Sequence, residues 1–300
     1  AMAPATLLER QIWLLRPLLH LRREALRDYL RGIGIAWRDD PSNESPAYER
    51  VRVRRSIEGM DMTQLRLEIA DKASRRRRLN AAVAAGLPGC VTVAGGVRAQ
   101  IDRARWETLE PDVRRLSAGV LLAVMGGQPL LPAAASCEKA VEFMRESRIS
   151  GKLALGRCII ETGAETVLLY REMRSIPAIA VEPGMSLLWD GRYRVVNGSG
   201  HPLVVGACGM EGLERLKSGP TPVHAPSVLS SPAFSSAGEI ICLPVFDDHD
   251  KLPAGVTIER HLGLFDNILV GYDELLAQCI AMMFKIKAYK RSPVNQINKN

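Results

Sequence analysis

Near Ser150 the sequence changes texture, and any fold for the chain has to respect that change. Before it, apolar residues recur at three- and four-residue spacing, the period of helices that bury one face. After it they come in short runs, such as 153–160, 166–171, 186–190 and 193–196, separated by Gly, Asn and Pro. Such runs read as strands joined by tight turns. A boundary near Ser150 is therefore expected, with helices ahead of it and a β-rich part behind.

The first half divides further. Residues 21–33 carry Leu21, Ala25, Leu26, Tyr29, Leu30 and Ile33 on one helical stripe, ended by Gly32 or Gly34. Ile35-Ala36-Trp37 reads as a short strand, and Asp39 to Asn43 as a turn whose side chains bond their own backbone. Ser45 is placed to cap a helix with Pro46 in its first turn. Residues 61–85 are helical again, with Gly86-Leu87-Pro88-Gly89 as the expected stop. A hairpin over 91–101 and helices over 111–125 and 133–146 follow. Beyond the strands, residues 218–238 read as a surface loop, 240–245 as a buried strand and 273–284 as a helix. The last sixteen residues hold four of the nine lysines and are expected to form a mobile tail.

Composition excludes several classes. The longest apolar runs, 120–125 and 279–284, fall far short of the ~20 residues of a membrane span. The first ten residues lack the basic flank and apolar core of a signal peptide, which points to the cytoplasm. Six cysteines lie far apart with no Cys-x-x-Cys, so they read as free thiols in a reducing compartment, and no metal site is expected. Net charge is +7 and unevenly spread: residues 15–78 hold sixteen basic against ten acidic residues, leaving 24 against 23 elsewhere. A basic end implies an anionic partner. The run Arg75–Arg78 turns about 100° per residue on a helix, so its members cannot all face one ligand.

Three segments carry the candidate chemistry: Arg16-Pro17-Leu18-Leu19, then Asp40-Pro41-Ser42-Asn43, then Tyr48-Glu49-Arg50-Val51-Arg52-Val53-Arg54. Pro17 forces an extended backbone at Arg16, whose guanidinium can hold a carboxylate or phosphate in two bonds. Asp40 and Asn43 can pin a turn. Arg50 and Arg54, four apart, share one helix face as an anion clamp. Each has a plainer alternative: a surface ion pair, a simple turn, a solvated face.

In this order and spacing, Arg16 to Arg54 resembles the tRNA(Ile)-lysidine synthetase family. Residues 153–157, Tyr170-Arg171-Glu172 and Leu188-Trp189-Asp190-Gly191-Arg192 look like that family's C-terminal region, with less specific motifs. One departure is Val51, where the family commonly has Asn after the arginine. The resemblance implies a multidomain α/β, α and α+β fold. Residues 1–58 would be the remnant of a PP-loop ATPase-type α/β domain, 59–150 a helical domain, 151–284 a β-rich α+β domain and 285–300 a basic tail.

The implied activity is ATP-dependent ligation of free lysine to the wobble cytidine of the minor isoleucine tRNA, whose anticodon is CAU, through an adenylated base. Arg16 would face lysine or the adenylate. Arg50 and Arg54 would hold phosphates or tRNA backbone, and Asp40 and Asn43 would shape the wall between. The cofactor implied is ATP with Mg2+, for which no ligands are identifiable here. No membrane partner is implied, and a homodimer is left open.

The family's phosphate loop, Ser-Gly-Gly-x-Asp-Ser, is not found in these residues. The adjacent glycine pairs are Gly95-Gly96 and Gly126-Gly127, and neither continues into x-Asp-Ser. The expectation is a chain cut downstream of that loop, inactive alone, with residues 1–58 poorly packed. A non-catalytic tRNA-binding module is the alternative. A third reading, an unrelated enzyme using His201 or His261 as base, lacks a recognisable partner group.

Overall fold

The computed structural model describes residues 2–40, 44–57, 60–146, 150–217, 224–247 and 251–294. The N-terminal strands β1 (Ala5–Leu8) and β2 (Ile12–Leu15) form a hairpin, followed by helices α1 (Arg23–Gly32) and α2 (Glu49–Ser56). A long helix, α3 (Met62–Cys90), leads into β3 (Val91–Ala94), β4 (Arg98–Asp102) and α4 (Arg103–Glu107). Helices α5 (Pro111–Gly126) and α6 (Ala134–Glu146) come next, then β5 (Gly151–Leu155), β6 (Cys158–Thr162) and β7 (Thr166–Arg171). The last part holds β8 (Ile179–Val181), β9 (Ser186–Trp189), β10 (Tyr193–Asn197), β11 (Leu203–Ala207), α7 (Gly209–Lys217) and α8 (Ala225–Leu229). It continues with β12 (Pro232–Ser236), β13 (Glu239–Cys242), β14 (Val256–Arg260), α9 (Gly263–Asp266), β15 (Ile268–Val270) and α10 (Glu274–Met283).

The strands make four antiparallel sheets, ordered β15-β1-β2, β3-β4-β7-β6-β5, β13-β12-β11-β8 and β14-β10-β9. The five-stranded sheet takes β3 and β4 from before Ser150 and β5 to β7 from after it, so a division there falls between strands of one sheet. A single core unites that sheet with α3, α5, α10 and Leu7 of β1. A second core, around Trp189, Val195 and Phe234, belongs to the C-terminal strands.

Five expectations are corrected. Helix α3 runs through Gly86-Leu87-Pro88-Gly89 rather than stopping there. Pro88 has no N–H for the carbonyl of Ala84, and the Cys279 thiol donates to that oxygen instead, at 3.4 Å. Burial of Leu87 and Cys90 then favours continuing the helix. Residues 153–160 are two strands, not one: Gly156 and Arg157, at φ of 58° and 63°, make the two-residue turn between β5 and β6. Residues 225–236, expected within a loop, form α8 and β12, with Phe234, Ser230 and Ser231 buried. Pro232 is tolerated because it opens its strand. Around α2, the cap position is taken by Tyr48 rather than Ser45. Ile35-Ala36-Trp37 does not pair as a strand.

The termini meet. The β1–β2 turn places Glu9 and Arg10 at φ of 47° and 58°, and Arg10 reaches across to Asp266 at 2.9 Å. Arg10 also donates to the carbonyl of Lys287 and lies over the Tyr289 ring, 4.1 Å from its centre. Trp13 Nε1 donates to the Lys290 carbonyl and Lys290 Nζ to the Gln11 carbonyl. Residues 285–292 therefore lie against the hairpin, with Tyr289 and Ser292 buried, rather than leaving the body as a tail. Residues 295–300 lie outside the described part.

Packing of the first segment is split. Ala3, Ala5 and Leu7 are buried, and β1 is bonded on both sides, by β15 and β2. From Ile12 onward the packing is mixed: Leu14, Leu18, Ile33 and Trp37 stay exposed and α1 buries no residue, whereas Trp13 packs against the main core and Val51 of α2 is buried. Leu7→Ala should lower unfolding free energy by about 2–5 kcal/mol, the range for a large-to-small change in a packed core. Leu18→Ala should change it by less than about 0.5 kcal/mol. Urea titration of both variants checks the contrast.

Candidate functional site

The basic end of the chain builds an open bowl. Arg22 and Arg23 at the start of α1, Val51, Arg54 and Arg55 on α2, and Met62 and Arg66 at the start of α3 line a cleft of about 700 Å3. Five guanidinium groups face one carboxylate there, that of Glu44. Two of the five are already held: Arg23 bonds Asp39 at 2.8 Å, and Arg55 donates to the Glu44 carbonyl at 2.9 Å. Among the described residues, Arg54 and Arg66 have no ion-pair partner. Convergent, solvated cations of this kind attract phosphate oxygens, and their pull is screened by salt.

An acidic corner forms at Asp39, beside the predicted Asp40: it accepts from Arg23 at 2.8 Å, Arg27 at 2.7 Å and Trp37 Nε1 at 3.2 Å. The bond from Arg27 holds the Asp39 carboxyl below the usual carboxylate range. Arg27 and Arg31 both lie over the Trp37 ring, 5.4 Å from its centre. This cluster clasps α1 to the segment that follows it. Asn43 lies outside the described residues.

The remaining predicted residues separate. Arg16 belongs to the hairpin: Nη1 donates to Thr6 Oγ1 at 2.9 Å and to the Ala3 carbonyl at 3.3 Å. Arg50 lies over the Tyr48 ring at 5.3 Å, while Arg54 lines the bowl. The structure thus joins Arg54 to Arg22, Arg23, Arg55 and Arg66 rather than to Arg16. Those four were missed as individuals, although the excess of basic residues over 15–78 marked their stretch.

The run Arg75–Arg78 is engaged locally. Arg75 pairs with Asp112 at 3.0 Å, Arg76 grips Asp273 through two bonds of 2.7 and 2.5 Å, and Arg78 bonds Ser74 at 2.8 Å. Arg77 lies over the Tyr272 ring. The four fan around α3 as helical geometry requires, and they tie it to α5 and to the segment before α10.

A second cluster sits deep in the molecule, where the three C-terminal motifs converge on Asp190. Arg171 bonds both carboxylate oxygens, at 3.0 and 3.1 Å, and Arg192 Nε bonds Oδ2 at 2.6 Å. Arg157 donates to Oδ1 from the opposite turn. The Asp190, Arg171 and Arg192 side chains are at most 1% exposed. Burial pulls the Arg192 and Arg157 guanidinium groups below their ordinary value.

The C-terminus of α5 packs against this cluster. A Cβ on Gly127 would stand 2.4 Å from the Asp190 carbonyl, and one on Gly191 2.2 Å from the Gly127 carbonyl. Arg260 donates to the Val124 carbonyl near that helix end at 2.8 Å, where the helix dipole favours a cation. This arrangement is a clamp between elements, not a catalytic centre.

Neither glycine pair fits a nucleotide loop. Gly95-Gly96 turns the β3–β4 hairpin, and Gly126-Gly127 sits at a helix C-terminus, whose polarity repels phosphate. All six cysteines are free and buried, and burial pushes the Cys158 thiol up to about 12. Among the described residues no three His, Cys, Asp or Glu side chains gather as a metal site, and no helix is long and apolar enough to cross a membrane.

Residues 1–60 match the PP-loop domain family. The chain is 33% identical over 289 residues to proteins named tRNA(Ile)-lysidine synthase from Brucella canis and Brucella melitensis. The same identity and span hold for one from Brucella ovis. The match covers 93% of this chain and spans 64% of the length of those relatives.

Asp190 tests the clamp. Its own φ of 51° is one that Asn also tolerates, so Asp190→Asn isolates the charge. The variant should lose about 3–5 kcal/mol of stability, because it strands buried guanidinium groups without their counter-ion. Calorimetry on the variant checks this.

Proposed function

We propose that this chain, which is similar to the tRNA(Ile)-lysidine synthases over the segment they share, serves the ATP-dependent ligation of lysine to the wobble cytidine of the minor isoleucine tRNA. The observation that carries the proposal is the arginine bowl of α1, α2 and α3, which overlaps the segment matched to the PP-loop domain family. Its free cations, Arg54 and Arg66, are assigned to the tRNA backbone, with Arg22 and Arg55 beside them. Phosphate contacts of this kind position a nucleic acid without reading its bases.

The other roles follow the resemblance. Residues 1–58 are assigned to the end of the catalytic domain, and Arg16, held by Thr6, to the side facing lysine or the adenylated base. Arg50, with Asp40 and Asn43, is assigned to the substrate and tRNA wall. ATP and Mg2+ serve the reaction, but these residues offer no loop that fits a triphosphate, so no step of the chemistry is routed through them here. Acting on tRNA, the protein is assigned to the cytoplasm.

A second reading, a tRNA-binding module without catalysis, draws its support from the glycine pairs, both of which are used in packing or a turn. Radiolabelled lysine incorporation by the complete gene product separates the two: transfer to a CAU-anticodon transcript supports the ligase, and binding without transfer supports the module.

Both readings share one expectation. Arg54→Ala/Arg66→Ala should weaken tRNA binding by the 300-residue chain and lower the slope of log affinity against log salt by roughly 1–2, since about 0.9 counterions are released per phosphate neutralised. Filter binding between low and moderate salt measures it. An unchanged slope would remove the bowl from the interface.

A further inference from the structure

A second cleft, of about 640 Å3, lies where the termini meet, and it shares no lining residue with the arginine bowl. Its volume falls in the range that holds small ligands. Its cations are Arg10, Arg194, Arg260, Lys285 and Lys287, and its carboxylates are Glu9, Glu259 and Asp266. The carboxylates are largely taken. Asp266 already accepts from Arg10, from Tyr289, from the Leu262 amide at 2.8 Å and from His261 Nδ1 at 3.2 Å. Glu259 stands opposite Arg194 on the paired strands β14 and β10. With Arg10 held by Asp266 and Arg194 opposite Glu259, Arg260, Lys285 and Lys287 stand against the single carboxylate of Glu9, and the cleft keeps a net positive charge.

Residues that line this cleft carry buried nitrogens without hydrogen-bond partners. His261 is more than nine-tenths buried, its Nδ1 fixed by Asp266, and its Nε2 has no hydrogen-bond partner. Beside it, Arg260 leaves Nε and Nη1 without partners while its plane is packed between the Tyr193 and Phe284 rings. Buried polar nitrogens of this kind are destabilising unless something supplies an acceptor. Nothing in the arginine bowl or the Asp190 clamp uses them.

We propose that this cleft binds a phosphate group through Arg260, His261 and the exposed Lys285 and Lys287. A phosphate offers several oxygen acceptors within a small volume, which suits polar groups arriving from two separate segments of the chain. The group is either a free phosphate compound or a phosphate of an RNA backbone, and the cleft chemistry is common to both. The proposal does not rest on the role assigned to Arg54 and Arg66.

Inorganic phosphate is the probe, titrated into the 300-residue chain by calorimetry at fixed ionic strength. Saturable one-to-one binding is expected, weakened at least fivefold in Lys285→Ala/Lys287→Ala and unchanged in Lys139→Ala, a control on α6. Both cleft lysines are exposed, so the double variant should keep the parent melting temperature. A tRNA transcript then identifies the source. If it displaces phosphate and itself binds less tightly to the double variant, the ligand is RNA backbone. If phosphate binding persists beside bound tRNA, the ligand is a small phosphate compound. Absence of saturable binding, or equal binding by the double variant, overturns the proposal.

Discussion

One buried carboxylate holds the architecture in register. Asp190 is the shared acceptor of Arg157, Arg171 and Arg192, which arrive from the β5–β6 turn, the end of β7 and the β9–β10 turn. Charges this deep are tolerated only when matched and bonded, so each turn has little freedom to move alone. The close approach of Gly127 to Gly191 fastens the same point to the end of α5. Through α5 the clamp reaches the core shared by α3, the five-stranded sheet and α10. The helical and β-rich halves are thereby one mechanical unit around the Asp190 turn.

The N-terminal segment stands in contrast. Its hairpin joins the common core through Leu7 and Trp13, and Arg10 and Trp13 tie it to residues 287–290. From α1 to the start of α3 the chain is held by exposed ion pairs such as those of Asp39, which contribute little to stability. What this region has in quantity is unpaired positive charge over a wide cleft. A surface of that kind is suited to a long polyanion, whose phosphates can settle against several guanidinium groups without a rigid pocket.

Much of the fold was legible in the sequence, for physical reasons. Helical periodicity gave α1, α5, α6 and α10 nearly to their ends, and short apolar runs between turn residues gave β7, β9 and β10. Misreadings arose where a distant partner decided the local outcome. Pro88 reads as a stop because its lost hydrogen bond is visible, whereas the Cys279 thiol that replaces it lies 195 residues from Ala84. The Pro- and Ser-rich stretch reads as a surface loop because nothing local reveals that Phe234 enters a core. The site followed the same rule. Arg54 and an acidic corner were readable, but Asp39 and Asp40 are neighbours with equal local claims. The three C-terminal motifs were visible as words, and their meeting at Asp190 was not, since sequence spacing says nothing of convergence in space.

The central claim is that a rigid, Asp190-clamped body presents a loosely held arginine surface to tRNA. Hydrogen–deuterium exchange on the chain, with and without a saturating tRNA(Ile) transcript, tests it most directly. The slowest amides should lie in α5, β7 and β10 in both states, and added tRNA should slow exchange in α2 and the first turns of α3. Bound tRNA that leaves α2 and α3 unchanged, or fast exchange across β7 and β10, would contradict it.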